Sequence, residues 1–307
     1  MKVAITGSSG LIGTALKTSL RADGHQVVAL VRRPASGPDE ATWNPQGGSI
    51  DLEPLAGVDA VVSLAGAGIG DHRWTASYKR EILDSRVLGT GTLVRGLLQL
   101  DPRPRVLVSG SAIGWYGDTG SQAVDETGPP GTGFVAEVAQ AWELAADPAR
   151  EAGVRVTHPR TGLVVAGDGG AWGRPLLPLP GLFPLFRLGV GGRLGPGTQY
   201  WSFVSLRDTV AALRRMIDDD QMVGPYNVTA PDPVTNAAVT SAMGRVLHRP
   251  TLLPVPAFAL RAVLGELSNE VLASIRVVPT RLTEAGFTFA DPTIDDALRA
   301  ALGGSRE

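Results

Sequence analysis

Hydrophobic residues in the first half of the chain form short continuous runs that alternate with longer segments of helical spacing. The runs predict buried β-strands near residues 2–6, 26–31, 59–64, 105–109 and 154–158. The spaced segments predict helices near residues 11–22, 75–99 and 134–152. Strands and helices that alternate in this way form a doubly wound parallel sheet with right-handed crossovers. The pattern therefore predicts an α/β fold of the Rossmann type.

The pattern changes after residue 165. Residues 166–200 are rich in Gly and Pro, 201–217 read as a strand and a helix, and 234–303 hold two or three helices around Pro250–Pro256. We expect residues 1–165 to form a nucleotide-binding domain, to which 201–228 return. Residues 166–200 and 229–307 are then expected to form a smaller C-terminal α/β subdomain that binds the substrate.

Composition narrows the function classes. The 307 residues are 43% hydrophobic and 19% charged, with a net charge of −2, which predicts no nucleic-acid or membrane partner. Cysteine is absent, which excludes disulfides and thiolate chemistry, and four scattered histidines predict no metal site. Met1 leads directly into the first strand, so we expect a cytoplasmic protein.

A glycine turn separates the first predicted strand from the first helix. It reads Thr6-Gly7-Ser8-Ser9-Gly10-Leu11-Ile12-Gly13. Gly7 permits a tight turn, Gly10 lets the backbone approach a pyrophosphate, and Gly13 lets the helix pack on the strand. The helix N-terminus then offers unpaired N–H groups to phosphate. We therefore expect Gly7, Ser9, Gly10, Leu11, Ile12 and Gly13 to bind a dinucleotide.

The residue after the second strand indicates which dinucleotide. NAD-binding folds place Asp or Glu there to bind the ribose 2′-OH. Here the strand is followed by Arg32-Arg33-Pro34. A guanidinium binds a 2′-phosphate through charge-assisted bonds, so Arg32 predicts NADP(H) as the cofactor.

Several motifs resemble those of the extended short-chain dehydrogenase/reductases, and more narrowly their epimerase-like family, often labelled nucleoside-diphosphate-sugar epimerase. Beside the glycine turn, these are Leu64-Ala65-Gly66-Ala67, Arg73-Trp74, Ser85-Arg86, Ser109 to Gly117, Phe134 with Trp142-Glu143, Gly191-Gly192, Asn227 with Ala230-Pro231, and Pro279 with Gly286-Phe287. The resemblance covers nearly the whole chain. It implies cofactor contacts at Leu64, Ala65, Gly66, Arg86, Ser109, Pro159 and Gly162.

The resemblance also shows that this chain lacks part of the superfamily's proton relay. Members of the superfamily use a Ser, a Tyr and a Lys four residues after the Tyr. Ser111 matches the serine, but Phe134 and Val138 occupy the other two positions, and no lysine follows Lys79.

Two interpretations follow from this departure. In the first, the protein is an enzyme with rearranged acid–base groups. Our candidates for these groups are Ser111, Tyr116 and Glu137, with Lys79 and Arg86 as further candidates. The substrate is then a small carbonyl or hydroxyl compound or a nucleotide sugar, transformed by an oxidoreductase or an epimerase/dehydratase. Alternatively, it is a non-catalytic NADP(H)-binding regulator or sensor. In either case we expect a monomer or a homodimer.

The irregular segment 166–200 is the predicted wall of the substrate pocket. Its arginines Arg174, Arg187 and Arg193 outnumber its single acid, Asp168. Such a wall favours an anionic small-molecule substrate. Arg193 lies among glycines and is our candidate for the substrate-binding arginine.

Overall fold

The computed structural model describes residues 1–167, 169–173 and 181–303. Its strands are β1 Lys2–Thr6, β2 Gln26–Val31, β3 Glu40–Asn44, β4 Ser49–Ile50, β5 Ala60–Ser63, β6 Val106–Ser109, β7 Ser111–Ala112, β8 Arg155–Thr161, β9 Leu163–Val165, β10 Tyr200–Trp201, β11 Phe203–Ser205, β12 Gly224–Val228 and β13 Val234–Thr235. Its α-helices are α1 Leu11–Ala22, α2 Ala76–Leu97, α3 Phe134–Leu144, α4 Asp147–Glu151, α5 Gly170–Gly173, α6 Leu182–Arg187, α7 Leu206–Asp218, α8 Asn236–Leu247, α9 Ala257–Leu264, α10 Leu267–Leu272, α11 Thr280–Glu284 and α12 Ile294–Ala301.

The central sheet has the strand order β4-β3-β2-β1-β5-β6-β8-β12. Neighbouring strands are parallel except for the β3–β4 pair, and the short β7 also pairs with β8. The predicted Rossmann-type α/β fold is therefore confirmed. In such a sheet, the carboxyl ends of the strands lie at one edge, where ligands bind.

Alternate residues of each central strand enter opposite hydrophobic cores. Val3 and Ile5 of β1 pack in the core that includes α1 and α7, whereas Ala4 packs in the core under α2 and α4. This alternation is what a sheet covered on both faces requires. The helices therefore hold the sheet rigidly and fix the positions of the loops at its carboxyl edge.

The predicted helix over 134–152 is two helices. α3 ends at Leu144, and α4 begins at Asp147 with Pro148 in its first turn. Proline lacks an N–H group and its ring clashes with the carbonyl four residues earlier, so it cannot continue α3. It can start α4, because the first N–H groups of a helix have no partner within it.

The C-terminal part adds a third core. Trp172 and Phe183 pack there with helices α8 and α12, beneath the small parallel pair β9–β11. Leu282 of α11 instead lies in the core of α1 and α7, so part of the 229–307 region packs against the central sheet. Within the described residues, no helix is both long and apolar enough to cross a bilayer.

Candidate functional site

The glycine turn at the end of β1 is shaped by close backbone approaches. Gly7 has a φ of +69°, in the left-handed region that favours glycine. A Cβ on Gly7 would lie 2.9 Å from Ala65 N, and one on Gly13 would lie 2.2 Å from Gly7 O. No side chain caps α1 at Gly10, and no acid lies in its first turn. The N-terminus of α1 therefore keeps N–H groups available for an anion.

The other predicted residues of this turn differ in exposure. Ser9 and Gly10 are exposed, whereas Leu11 and Ile12 are half-buried. The side chain of Leu11 lies against the segment after β9, since a Cβ on Gly169 would be 2.5 Å from Leu11 Cδ1. Ser9 and Gly10 are thus the members of the turn with surface free for a ligand.

Thr6 joins the turn to the end of β5. Its hydroxyl accepts hydrogen bonds from Leu64 N at 3.0 Å and Ala65 N at 3.1 Å. Because these two amides are already used, Leu64 and Ala65 can meet a cofactor only through other atoms. Gly66 is exposed, and a Cβ there would lie 3.1 Å from Arg86 Cζ.

Arg86 on α2 is a buried cation, 9% exposed, directly beneath Gly66. Its Nη1 donates to Ala67 O at 3.1 Å and to Ile82 O at 2.9 Å. Among the described residues it has no carboxylate partner. Burial lowers the pKa of Arg86 to about 10, which still leaves the guanidinium charged at neutral pH. A buried charge of this kind is stabilised when an anion binds beside it.

The two arginines after β2 have different surroundings. Arg33 donates to both carboxylate oxygens of Glu40, at 2.6 and 2.7 Å. The hydrogen bond from Arg33, with those from Ser36, lowers the pKa of Glu40 to about 2. Arg32 is exposed and has no hydrogen bond or ion pair with a described residue. Arg32 is thus the arginine free to bind a ligand at the end of β2.

Ser111 follows β6 and is the first member of a buried polar network. Its hydroxyl lies 2.6 Å from Glu143 Oε1, and Glu143 also accepts from Arg160 Nε at 2.8 Å and Nη2 at 3.0 Å. A carboxylate in a two-pronged arginine pair only accepts hydrogen bonds, so Ser111 donates its proton to Glu143. The neighbouring Ser109 Oγ is buried and has no partner among the described atoms.

Tyr116 extends this network. Its phenol donates to Asn227 Oδ1 at 2.7 Å and accepts from Arg160 Nη1 at 3.0 Å. Tyr116 is 4% exposed, and burial raises the pKa of its phenol. These hydrogen bonds join β8 and β12 beneath the carboxyl edge. The phenol proton of Tyr116, which a catalytic tyrosine would transfer, is held in the hydrogen bond to Asn227.

Phe134 stands at the start of α3 in an apolar cluster. It packs edge-on against Trp74, with ring centroids 5.0 Å apart, and Lys79 Nζ lies 4.8 Å from its ring centroid. Lys79 Nζ also pairs with Glu266 at 2.9 Å. Glu137, one turn along α3, is exposed, and its carboxylate makes no hydrogen bond or ion pair with a described residue. An ammonium group therefore lies beside the residue that stands at the superfamily's tyrosine position.

Pro159 and Gly162 lie where β8 reaches the carboxyl edge. Pro159 is buried within the strand. A Cβ on Gly162 would lie 2.6 Å from Ser202 O, and Gly162 N donates to Val228 O at 3.0 Å. Packing against the returning segment therefore accounts for the glycine at 162 without a ligand.

The predicted substrate-binding Arg193 is exposed. The adjacent glycines are required by the fold, since a Cβ on Gly192 would lie 1.7 Å from Leu253 O and one on Gly191 would lie 2.3 Å from Phe186 Cδ2. The segment 166–200 is not irregular throughout, because it contains α5 and α6. Arg174 and Asp168 of the predicted wall lie outside the described residues.

The pairing of Glu143 with Arg160 was not predicted from the sequence. Glu143 belongs to the motif Trp142-Glu143, and Arg160 follows Pro159, one of the expected cofactor contacts, but neither signal pairs the two residues. Across the described ranges, no group of His, Asp and Glu side chains could hold a metal ion. A groove of about 800 Å³ between α1 and α7 is lined by helix residues such as Ser19 and Val210, away from the glycine turn.

Two protein-family models match the chain. The model of the NAD dependent epimerase/dehydratase family matches residues 3–229, and a model described as a domain of unknown function, DUF1731, matches 255–301. The chain belongs to the NAD dependent epimerase/dehydratase family. The resemblance drawn from the sequence motifs is thereby confirmed.

Individual relatives are similar to this chain over nearly its whole length. An epimerase family protein of Mycobacterium leprae is 43% identical over 97% of this chain and 95% of its own length. An epimerase family protein SDR39U1 homolog, chloroplastic, from Arabidopsis thaliana is 37% identical over 98% of this chain and 87% of its own. The crystal structure of human epimerase family protein SDR39U1 with NADPH matches with a TM-score of 0.88 and 29% identity, covering 99% of both chains.

Proposed function

We propose that the carboxyl edge of the sheet binds NADP(H). The pyrophosphate would lie at the uncapped N-terminus of α1, next to Gly7, Gly10 and Gly13. Arg32 would bind the 2′-phosphate, because Arg33 is already paired with Glu40. The similarity to a human protein solved with NADPH supports this choice of cofactor.

The observation that carries the proposal is the buried Arg86 beside Gly66. A guanidinium that is 9% exposed and bonded to two carbonyl oxygens keeps its positive charge without a described carboxylate. Such a charge costs free energy in the protein alone. A bound pyrophosphate or ribose phosphate at the exposed Gly66 would neutralise it, and the N-terminus of α1 would bind the same anion.

We further propose that the protein, with NADP(H) bound, is an oxidoreductase or epimerase-like enzyme acting on a small carbonyl or hydroxyl compound. When bound, NADPH would supply a hydride to a carbonyl compound, and NADP⁺ would accept one from a hydroxyl compound. A proton must reach the substrate oxygen in the reduction or leave it in the oxidation, and the side chains of Phe134 and Val138 can do neither. Lys79 Nζ, 4.8 Å from the Phe134 ring centroid and paired with Glu266, is a group with a transferable proton beside the tyrosine position.

Ser111 would contribute differently from the superfamily serine. Because it donates its proton to Glu143, its oxygen can only accept a hydrogen bond from a ligand. It would thus orient a substrate hydroxyl rather than polarise a carbonyl. Exposed Arg193 would favour an anionic substrate, such as a carboxylate or a phosphate ester.

A second candidate function is a non-catalytic NADP(H) sensor. The apolar residues at 134 and 138 favour it, because they leave the superfamily positions without a proton donor. The phenol of Tyr116 does not replace that donor, because it is already hydrogen-bonded to Asn227 and Arg160. A sensor binds the cofactor tightly but consumes none with any substrate.

The experiment that separates the two follows nicotinamide absorbance with NADPH and a panel of oxo acids, phosphorylated aldehydes, uncharged aldehydes and nucleoside-diphosphate sugars. The enzyme proposal predicts substrate-dependent consumption that falls about a hundredfold or more in Lys79→Met, the size of a lost general acid. Lys17→Met on α1 is the matched control and should leave the rate unchanged. Because an epimerase returns the hydride to its substrate, the nucleoside-diphosphate sugars are also assayed for conversion to their epimers. Tight NADPH binding with neither cofactor consumption nor epimer formation across the panel would favour the sensor.

A further inference from the structure

Exposed large hydrophobic side chains concentrate on two segments of the C-terminal part. They are Leu188, Val190, Leu252, Leu253 and Phe258, with exposed fractions of 74%, 49%, 83%, 59% and 74%. Elsewhere in the described chain, exposed large hydrophobic residues occur singly, as at Leu88 and Leu144. A cluster of this kind on a protein surface marks an interaction site.

The two segments, 187–195 and 249–258, lie side by side. Arg249 Nε donates to Arg187 O at 3.0 Å at one end of the contact. Further along, Val255 N donates to Arg193 O and Gly195 N donates to Val255 O, both at 2.8 Å. The exposed hydrophobic residues therefore belong to one continuous surface, which we call the basic apolar face.

The charge of this face has a single sign. The two segments and α9 contain no Asp or Glu, whereas Arg187, Arg193, Arg249 and Arg261 are exposed there. The exposed acid that follows α9, Glu266, is paired with Lys79. The whole chain carries a net charge of −2, so positive charge is segregated here. The occupant of the face must therefore combine apolar surface with negative charge.

A second copy of the chain does not meet this requirement. A two-fold dimer would place two positively charged faces against each other, and like charges at an interface are unfavourable. Five side chains also make a small patch, compared with the roughly 800 Å² per partner of a stable protein interface.

We propose that the basic apolar face docks onto an anionic lipid bilayer. Leu188, Leu252 and Phe258 would enter the boundary between headgroups and acyl chains, and Arg187, Arg249 and Arg261 would contact anionic headgroups. Phe258 and Arg261 lie three residues apart on α9, so both can reach the surface from one side of the helix. The net charge of the chain did not predict this, because it averages over acids that lie on other surfaces.

The test is co-sedimentation of the full-length protein with vesicles of phosphatidylcholine alone or mixed with phosphatidylglycerol. We expect binding only to the mixed vesicles, weakened by salt. The double variant Leu252→Ser/Phe258→Ser should bind about tenfold more weakly or worse, given what burial of such side chains contributes. Arg187→Gln/Arg261→Gln should lose the preference for anionic lipid.

Leu144→Ser removes an exposed leucine far from the face, at the end of α3, and should bind as the wild type does. NADPH affinity, measured on every variant, reports the fold and tests the cofactor site separately. Absence of wild-type binding, equal binding to both vesicles, or unchanged binding by the serine variants would overturn the proposal. So would self-association of the wild type that the serine variants abolish, because a second copy would then be the occupant.

Discussion

Ser111 Oγ donates a 2.6 Å hydrogen bond to Glu143, a carboxylate already held by both arms of Arg160. The hydroxyl of the serine that matches the superfamily's catalytic serine is thus already used as a hydrogen-bond donor to a buried carboxylate. Together with Phe134 in the tyrosine position, this makes the site unlike the usual proton relay while leaving the cofactor edge intact. Binding and proton transfer can therefore be tested separately.

Arg86→Met should weaken NADPH binding by about ten- to a hundredfold, since a charge-assisted hydrogen bond contributes about 1.5–3 kcal/mol. Calorimetric titration measures the affinity. The same variant should melt at the wild-type temperature or above, because an apolar side chain replaces a buried charge that lacks a described carboxylate partner. Arg95→Met, at an exposed position of the same helix, serves as the control. Equal loss of affinity in both variants would contradict a specific role for Arg86.

Glu143→Gln should destabilise the protein by about 3–5 kcal/mol, because it leaves the buried guanidinium of Arg160 without its counter-charge. Urea unfolding followed by circular dichroism measures the change. Glu137→Gln, exposed on the same helix, should stay within about 0.5 kcal/mol of the wild type. If the two variants unfold alike, the Glu143–Arg160 pair does not hold β8 to α3.

Glu270 on α10 predicts a pH effect. Burial, with a smaller contribution from Asp118, raises the pKa of its carboxyl group above the usual value of 4.5. A raised pKa in the folded state means that this group favours folding at low pH and opposes it once pH rises through that pKa. Glu270→Gln should therefore raise the melting temperature at pH 7 and leave it unchanged at pH 4. Equal shifts at both values would show that the effect does not come from ionisation.

The sequence was sufficient for the parts of the fold with long, regular signals. β1, β2 and α1 match their predicted ranges because a glycine turn separates a continuous apolar run from helical spacing. β3 was missed because only Ala41 and Trp43 of its five residues are buried, too short an alternation to stand out beside Glu40 and Asn44.

The residues of the site were predictable only where contacts within a single short segment determine which residue type is needed. Gly7 and Gly13 are required by backbone approaches within a single turn, so their spacing identifies them. Glu143 and Arg160 lie on different elements, and no local rule pairs a particular glutamate with a particular arginine. The same limit applies to Gly162 and Gly192, whose close neighbours, Ser202 and Leu253, are distant in sequence.

The most direct test of the cofactor site compares NADPH with NADH on the wild type and on Arg32→Ala, by calorimetric titration. Arg33→Ala is the matched control, since Arg33 is paired with Glu40. We predict that the wild type binds NADPH about ten- to a hundredfold more tightly than NADH, the worth of one or more charge-assisted phosphate contacts. Arg32→Ala should abolish this preference without weakening NADH, and Arg33→Ala should keep most of it. Equal affinities of the wild type for the two cofactors would contradict the account.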